Sequence, residues 1–115
     1  MIAGYIKAEN VSQALEALDS SQPMARILAG GTDLMQKTRA TRQKKNNDIV
    51  FVDIKAIEEL KGIRREGDDL IIGPAVTLDE LMHHEMIAAY APDLIKASGY
   101  VGSMELRNRA TVGGN

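Results

Sequence analysis

The first part of the chain alternates between the hydrophobic spacing of strands and that of helices. Tyr5–Ala8 predicts a short strand. Asn10 stands at a helix N-cap position, and apolar residues then recur at spacings of three, four and seven, which predicts an amphipathic helix over residues 11–19. Ala25–Ala29 is a compact apolar run that predicts a buried strand, with a short helix expected over 33–38.

The middle of the chain has the pattern of strands. Ile49–Ile54 is rich in β-branched residues and predicts a second strong strand. One helical turn is predicted over 57–60. The segments 62–66 and 70–73 flank a glycine turn and predict a hairpin.

The last part of the chain returns to helical spacing. Thr77 and Glu80 form a capping-box pair before a helix whose apolar face continues to Met86. A further helix is predicted from Pro92 to Gly99, followed by a turn-rich tail over 101–115. The mixture of strands and helices predicts an α+β (mixed α/β) fold class.

The amino-acid composition argues against several classes of protein function. With 115 residues, of which 44% are hydrophobic and 26% charged, the chain is expected to form one globular domain. A net charge of −2 argues against a surface built to bind nucleic acid. Without cysteine the chain cannot hold an iron–sulfur cluster through thiolates. No apolar run approaches the ~20 residues of a membrane span, and no secretory signal is visible, so a cytoplasmic protein is expected.

The strongest chemical signal is a strand that runs directly into a glycine pair, Arg26–Asp33. Gly30 and Gly31 permit positive φ and leave no Cβ between the main chain and a ligand. Successive N–H groups could then surround an anion, with Thr32 as an added hydroxyl donor. The alternative for one such pair in isolation is a tight turn without a ligand.

A second glycine pair follows the same pattern at Thr111–Asn115. Neither loop matches the dinucleotide-binding fingerprint of nicotinamide folds or the phosphate loop of nucleotide hydrolases. Two Gly-Gly loops, each beside a threonine, are nevertheless suited to holding a diphosphate from two sides.

Both loops resemble those of a known family. Ala29–Leu34 and Arg107–Asn115 are similar to segments of the FAD-binding subunit of the molybdenum hydroxylases, which include xanthine dehydrogenase and carbon monoxide dehydrogenase. The intervening segments 52–54, 59–63, 70–78 and 101–103 also look like this family. The resemblance implies the N-terminal lobe of a p-cresol methylhydroxylase-type FAD-binding domain.

The resemblance also implies which residues bind the cofactor. In the family, the loop corresponding to Arg26–Asp33 wraps the FAD diphosphate, and the loop corresponding to Thr111–Asn115 closes on it from the other side. Val101 falls where the family has a residue that lines the flavin nucleotide. The expected cofactor-binding residues are Arg26, Ile27, Leu28, Ala29, Gly30, Gly31, Thr32, Asp33, Val101, Thr111, Gly113, Gly114 and Asn115. No catalytic side chain and no metal ligand is expected.

By the same resemblance, electrons pass from molybdenum and [2Fe–2S] centres in partner subunits through FAD to NAD⁺ or another acceptor. The family subunit continues into a second FAD-binding lobe and a C-terminal domain. Residues 1–115 are therefore expected to be the N-terminal portion of an oxidoreductase's FAD-binding domain, inactive alone.

Alternatives remain open at this point. Another FAD-dependent oxidoreductase of the same fold, such as the cell-wall UDP-sugar enolpyruvate reductase, would carry somewhat different loops. A truncated remnant would bind no cofactor. His83 and His84 are adjacent, a spacing that favours a solvated helix face over a metal site. The basic residues between Lys37 and Lys45 favour a solvated loop, the alternatives being contact with an acidic partner surface or with the FAD diphosphate.

Overall fold

The computed structural model describes residues 2–31 and 49–114, except for the side chains of residues 2 and 3. The chain divides into two compact units, Met1–Glu59 and Leu60–Asn115. That the whole chain forms one globular domain, as its length predicts, stays a prediction.

The first unit is built on a parallel sheet. Its described strands are β1 (Ile2–Lys7), β2 (Ala25–Leu28) and β3 (Ile49–Asp53), in the order β1-β3-β2. Phe51 and Val52 are adjacent in β3, so their side chains lie on opposite faces, and both are buried. The central strand is therefore covered on both faces.

Helix α1 (Val11–Ser20) connects β1 to β2 and confirms the helix that the sequence predicts. Asn10 Oδ1 accepts the Gln13 amide at 2.8 Å, and Gln13 Oε1 accepts the Glu9 amide at 2.9 Å. The first bond satisfies a main-chain donor that the first turn leaves unpaired, and the second pairs the amide of the residue before the N-cap. Ala14 and Ala17 form the buried face of α1.

The second unit combines a hairpin with short helices. Strands β4 (Ile63–Glu66) and β5 (Asp69–Ile72) pair antiparallel, as predicted, after a 3-10 turn at Glu58–Leu60. The helices are α2 (Leu78–Met82), α3 (Glu85–Tyr90), α4 (Pro92–Gly99) and α5 (Met104–Arg109). Val76, Leu81 and Ile87 form the buried centre of this unit.

The prediction of one helix with an apolar face to Met86 is wrong, because the two histidines separate α2 from α3. His83 ends α2, and its Nδ1 lies 2.8 Å from the Asp79 carbonyl oxygen. His84 begins α3, and its Nδ1 accepts the Met86 amide at 3.2 Å. The part of the chain that the structure describes contains no cluster of three acidic or histidine side chains able to hold a metal ion.

The prediction of a turn-rich tail after residue 101 is also wrong in part. Helix α5 occupies its middle, and Ser103 Oγ caps it by accepting the Leu106 amide at 3.3 Å. The helix has only six residues and lies between glycines, so its hydrophobic period is too short to be recognised.

Several predictions fall outside the described residues. These are the helix over 33–38, the basic run from Lys37 to Lys45, and the site residues Thr32, Asp33 and Asn115. None of the helices within the described ranges has the length and apolar character that a membrane crossing requires.

Candidate cofactor-binding site

The first glycine loop leaves the carboxyl edge of the parallel sheet. Ile54 N donates to the Leu28 carbonyl at 3.0 Å, and Ala8 N donates to the Asp53 carbonyl at 3.0 Å. These bonds bring the ends of all three strands to one edge, directly before Gly30. Ligands of open parallel sheets bind at this edge.

The geometry of this loop fits an anion. Gly31 has a φ of 74°, in the left-handed region that favours glycine. Neither the Gly30 nor the Gly31 amide donates a hydrogen bond to another described residue. Main-chain donors at a turn with positive φ are the groups from which phosphate-binding sites are built. The residues present therefore fit the diphosphate of FAD.

The strand before the loop differs from its prediction. Ile27 is 53% exposed, whereas Ala25 and Leu28 are buried. The centre of the strand is accessible because β2 lies at the edge of the described sheet. The Arg26 guanidinium folds back to the start of β2, where Nη1 donates to the Pro23 carbonyl at 3.0 Å and the Ala25 carbonyl at 2.8 Å. The structure thus brings Ala29–Gly31 to the carboxyl edge, but not the charge of Arg26.

A polar cluster beside this edge was not predicted. The sequence places Asp53 at a strand end, but the structure also buries it to 3% exposure and gives it three donors. The Tyr5 hydroxyl donates to Oδ2, the Lys55 amide donates to Oδ1 at 2.9 Å, and Lys55 Nζ lies 3.2 Å from Oδ2. Strand periodicity offers one signal. In the parallel register Tyr5 pairs with Phe51, which is two residues before Asp53, so Tyr5 and Asp53 lie on the same face of the sheet.

The cluster determines the charge state of Asp53. Burial raises the pKa of this carboxyl group, but the Tyr5 hydrogen bond and the contacts from Lys55 outweigh burial and leave the pKa below its ordinary value. The same hydrogen bond is the main cause that raises the pKa of Tyr5. Asp53 is therefore a carboxylate at neutral pH and holds the turn that supports the Leu28 carbonyl.

The second glycine loop lies in the second unit, where it pairs with residues 74–78. Leu78 N donates to the Ala110 carbonyl, Val112 N to the Val76 carbonyl and Gly113 N to the Pro74 carbonyl, each at 2.9 Å. Thr111 is buried and forms a β-bridge with Thr77. The segment is thus an ordered strand-like edge of the second unit.

Close packing explains why glycine stands at both Gly113 and Gly114. A Cβ on Gly113 would lie 2.6 Å from Pro74 Cβ, and one on Gly114 would lie 2.8 Å from Thr111 Oγ1. Thr111 Oγ1 also accepts the Gly114 amide at 3.2 Å. The amides of Val112, Gly113 and Gly114 are therefore engaged within the unit and do not form a row of unpaired donors. That Thr111, Gly113 and Gly114 bind the cofactor stays a prediction.

Val101 lies in the segment between α4 and α5 and is half-buried. Gly102, which follows it, has a φ of 47°. The segment that carries Val101 is therefore a sharp turn in which glycine is required.

Comparison with known proteins decides the family. Residues 1–115 match the family described as "FAD binding domain in molybdopterin dehydrogenase". The chain belongs to this family. The resemblance inferred from the two glycine loops is confirmed, as are FAD as the cofactor of the family and the mixed α+β fold class.

Relatives of this FAD-binding family are subunits of dehydrogenases. The chain is 38% identical over 89 residues to the nicotinate dehydrogenase FAD-subunit of Eubacterium barkeri, which covers 77% of the chain and 29% of that subunit. It is 32% identical over 113 residues to the carbon monoxide dehydrogenase medium chain of Hydrogenophaga pseudoflava, covering 96% of the chain and 38% of the relative.

A solved structure of carbon monoxide dehydrogenase from Hydrogenophaga pseudoflava, which lacks the Mo-pyranopterin moiety of its cofactor, superposes with a TM-score of 0.89 at 29% identity. The alignment covers 99% of this chain and 39% of that one. The chain thus spans well under half the length of the relatives it matches.

Proposed function

We propose that the chain holds the diphosphate of FAD at Ala29–Gly31, on the carboxyl edge of the parallel sheet. The observation that carries this proposal is the pair of glycine amides without a described acceptor, at a turn with positive φ. Thr32 and Asp33, which follow Gly31 in the sequence, belong to the same proposed set of contacts. The second loop, Thr111–Asn115, and Val101 complete the proposed set of contacts.

In this proposal the chain is the N-terminal portion of the FAD-binding subunit of a molybdenum hydroxylase. A second lobe and a C-terminal domain complete the subunit, in keeping with the greater length of its relatives. Bound FAD supplies electron transfer, from molybdenum and [2Fe–2S] centres in partner subunits to NAD⁺ or another acceptor. The relatives described above are subunits of dehydrogenases, which supports this role.

The chain's own residues contribute binding and orientation. The amides of Gly30 and Gly31 would pair with phosphate oxygens, and their missing side chains let the main chain approach closely. The Asp53 carboxylate is already neutralised by Lys55, which limits its repulsion of a nearby diphosphate. In this proposal the protein binds and orients the cofactor, and the cofactor itself supplies the electron-transfer chemistry.

Flavin extraction and ligand competition test the proposal. The native protein should release FAD on denaturation, and apoprotein should bind FAD and ADP in competition, because both contain the diphosphate. FMN carries a single phosphate and should compete poorly. Equal competition by FMN, or binding of none of the three, would contradict the diphosphate site.

Co-purification separates the family role from that of another FAD-dependent oxidoreductase. The natively expressed protein should purify with stoichiometric molybdenum and iron in partner polypeptides. A flavoprotein that purifies without either metal under conditions that preserve known complexes would favour the alternative.

A further inference from the structure

Lys55 lies at the carboxyl edge of the parallel sheet, on the strand next to the first glycine loop. It follows the end of β3 by two residues, and the Ile54 amide before it donates to the Leu28 carbonyl at 3.0 Å. Leu28 ends β2 and directly precedes Ala29–Gly31. Neighbouring strands lie only ~4.8 Å apart. The hydrogen bond therefore brings the main chain before Lys55 to the start of the loop.

Two contacts with Asp53 hold Lys55 at this edge. The Lys55 amide donates to Asp53 Oδ1 at 2.9 Å, and Lys55 Nζ lies 3.2 Å from Oδ2. The Asp53 side chain is buried, and the Tyr5 hydroxyl also donates to it. Lys55 is therefore tied to a fixed carboxylate through both its main chain and its side chain.

The ammonium group of Lys55 can accept a further partner. It carries three N–H bonds, and within the described ranges Asp53 is its one acceptor. The Lys55 side chain is 55% exposed, so a ligand can reach it. Lysine binds phosphate as a compact positive charge. One ammonium group can thus pair with Asp53 and with a phosphate oxygen together.

The other cations in the described part of the first unit are less well placed. These are Lys7 and Arg26. The Arg26 guanidinium is turned toward the start of β2, away from the loop. Lys7 ends β1, and the strand order β1-β3-β2 puts a whole strand between it and the loop. Lys55 follows β3, the strand that pairs directly with β2.

We propose that Lys55 is a phosphate-binding residue, whose ammonium group is shared between Asp53 and the diphosphate held at Gly30–Gly31. This inference rests on the proposed function. It adds a full positive charge to the two main-chain amides of that site. Asp53 is then a positioning residue, which acts on the diphosphate through Lys55.

Acetylation of lysines in the native apoprotein tests this contact without any substitution. Labelling with limiting reagent is followed at each lysine by mass spectrometry, for the free protein and with saturating ADP or adenosine. ADP should slow the labelling of Lys55 several-fold, because a phosphate oxygen then covers its ammonium group. Adenosine lacks the phosphates and should give no protection. Lys7 should be labelled at the same rate in all three states.

Lys55→Gln removes the charge and keeps a polar side chain. In the native apoprotein it should weaken binding of ADP and FAD about fivefold to tenfold at low ionic strength, as expected for the loss of a charged hydrogen bond. The loss should shrink as salt is added, because exposed charges are screened. Lys55→Arg keeps the charge and should retain most of the affinity.

Lys7→Gln is the matched control. It removes the same charge from the same edge of the sheet, and the Lys7 side chain makes no hydrogen bond or ion pair with a described residue. Its affinity for ADP should stay within about twofold of the parent, since the charge lies beyond the intervening strand.

The outcomes are distinguishable. Undiminished labelling of Lys55 in the ADP complex would overturn the inference, and this result does not depend on the folding of a variant. Unchanged ADP affinity in Lys55→Gln would also overturn it, as would equal losses in Lys55→Gln and Lys7→Gln, which indicate only the general field of the edge. A parent protein that binds neither FAD nor ADP would instead contradict the proposed function.

Discussion

The Tyr5 hydroxyl donates a hydrogen bond to the Asp53 carboxylate across two neighbouring parallel strands. The bond joins an exposed phenol to a buried acid at the edge from which the Gly30–Gly31 loop departs. It links the stability of this edge to pH.

Tyr5→Phe should make the first unit more sensitive to acid. The folded-state pKa of Asp53 lies below its ordinary value, so its contribution to stability is present above that value and is lost as pH falls through the folded-state pKa. Removing the Tyr5 hydroxyl raises the folded-state pKa, and the loss should begin at higher pH. An acid unfolding titration followed by circular dichroism measures this shift. Tyr100→Phe, at a tyrosine 79% exposed, should leave the midpoint in place. Coincident midpoints for all three proteins would contradict the role of the bond.

Gly113→Ala should destabilise the second unit by about 1–3 kcal/mol, as other overpacked sites do. The added methyl group would lie 2.6 Å from Pro74 Cβ and 3.0 Å from the Pro74 carbonyl oxygen. Gly99→Ala is the control, because its Cβ would meet only Met82 Cε at 3.8 Å, within a helix. The control should be neutral or more stable by about 0.5–1 kcal/mol. Urea denaturation compares the two, and equal stabilities would show that Gly113 is not kept by packing.

Residues 1–115 expressed alone should bind FAD weakly, with a dissociation constant on the order of 100 µM or worse, about 5 kcal/mol of binding. The reason is the proposed second lobe, without which the flavin ring is poorly covered and less preorganised. Isothermal titration with FAD, and with ADP as a probe of the diphosphate site, measures both contributions. A yellow protein with tightly held FAD would show that the second lobe is dispensable.

Local signals in the sequence account for most elements of the fold. Asn10 and Thr77 mark helix starts that the structure confirms, with capping bonds of 2.8 Å and 3.1 Å. The break at His83–His84 was not predictable from period alone, because a histidine side chain supplies the cap of α3. The sequence did not predict helix α5, because its six residues are too few to show a helical repeat of apolar positions.

The candidate site was predictable in part. The strand-to-glycine transition correctly located the turn at Gly31, since positive φ follows from local chemistry. The second glycine pair did not reveal that the Gly113 amide donates to Pro74 and the Gly114 amide to Thr111, because such contacts depend on tertiary packing. For the same reason the sequence did not predict that Arg107 Nη1 donates to the carbonyl groups of Gly99, Val101 and Gly102.

The most direct measurement of the central claim is the FAD affinity of Gly31→Asn in the native protein. Asparagine tolerates the positive φ of Gly31 while placing a side chain where the phosphate oxygens are proposed to lie. Gly67→Asn is the matched control, because Gly67 has a φ of 60° and open space around its Cβ position. Both variants should unfold at similar denaturant concentrations. We expect Gly31→Asn to lose at least about tenfold in affinity for FAD and ADP, roughly 1.4 kcal/mol, with Gly67→Asn unchanged. Full FAD occupancy and parental affinity in Gly31→Asn would contradict a diphosphate site at this loop.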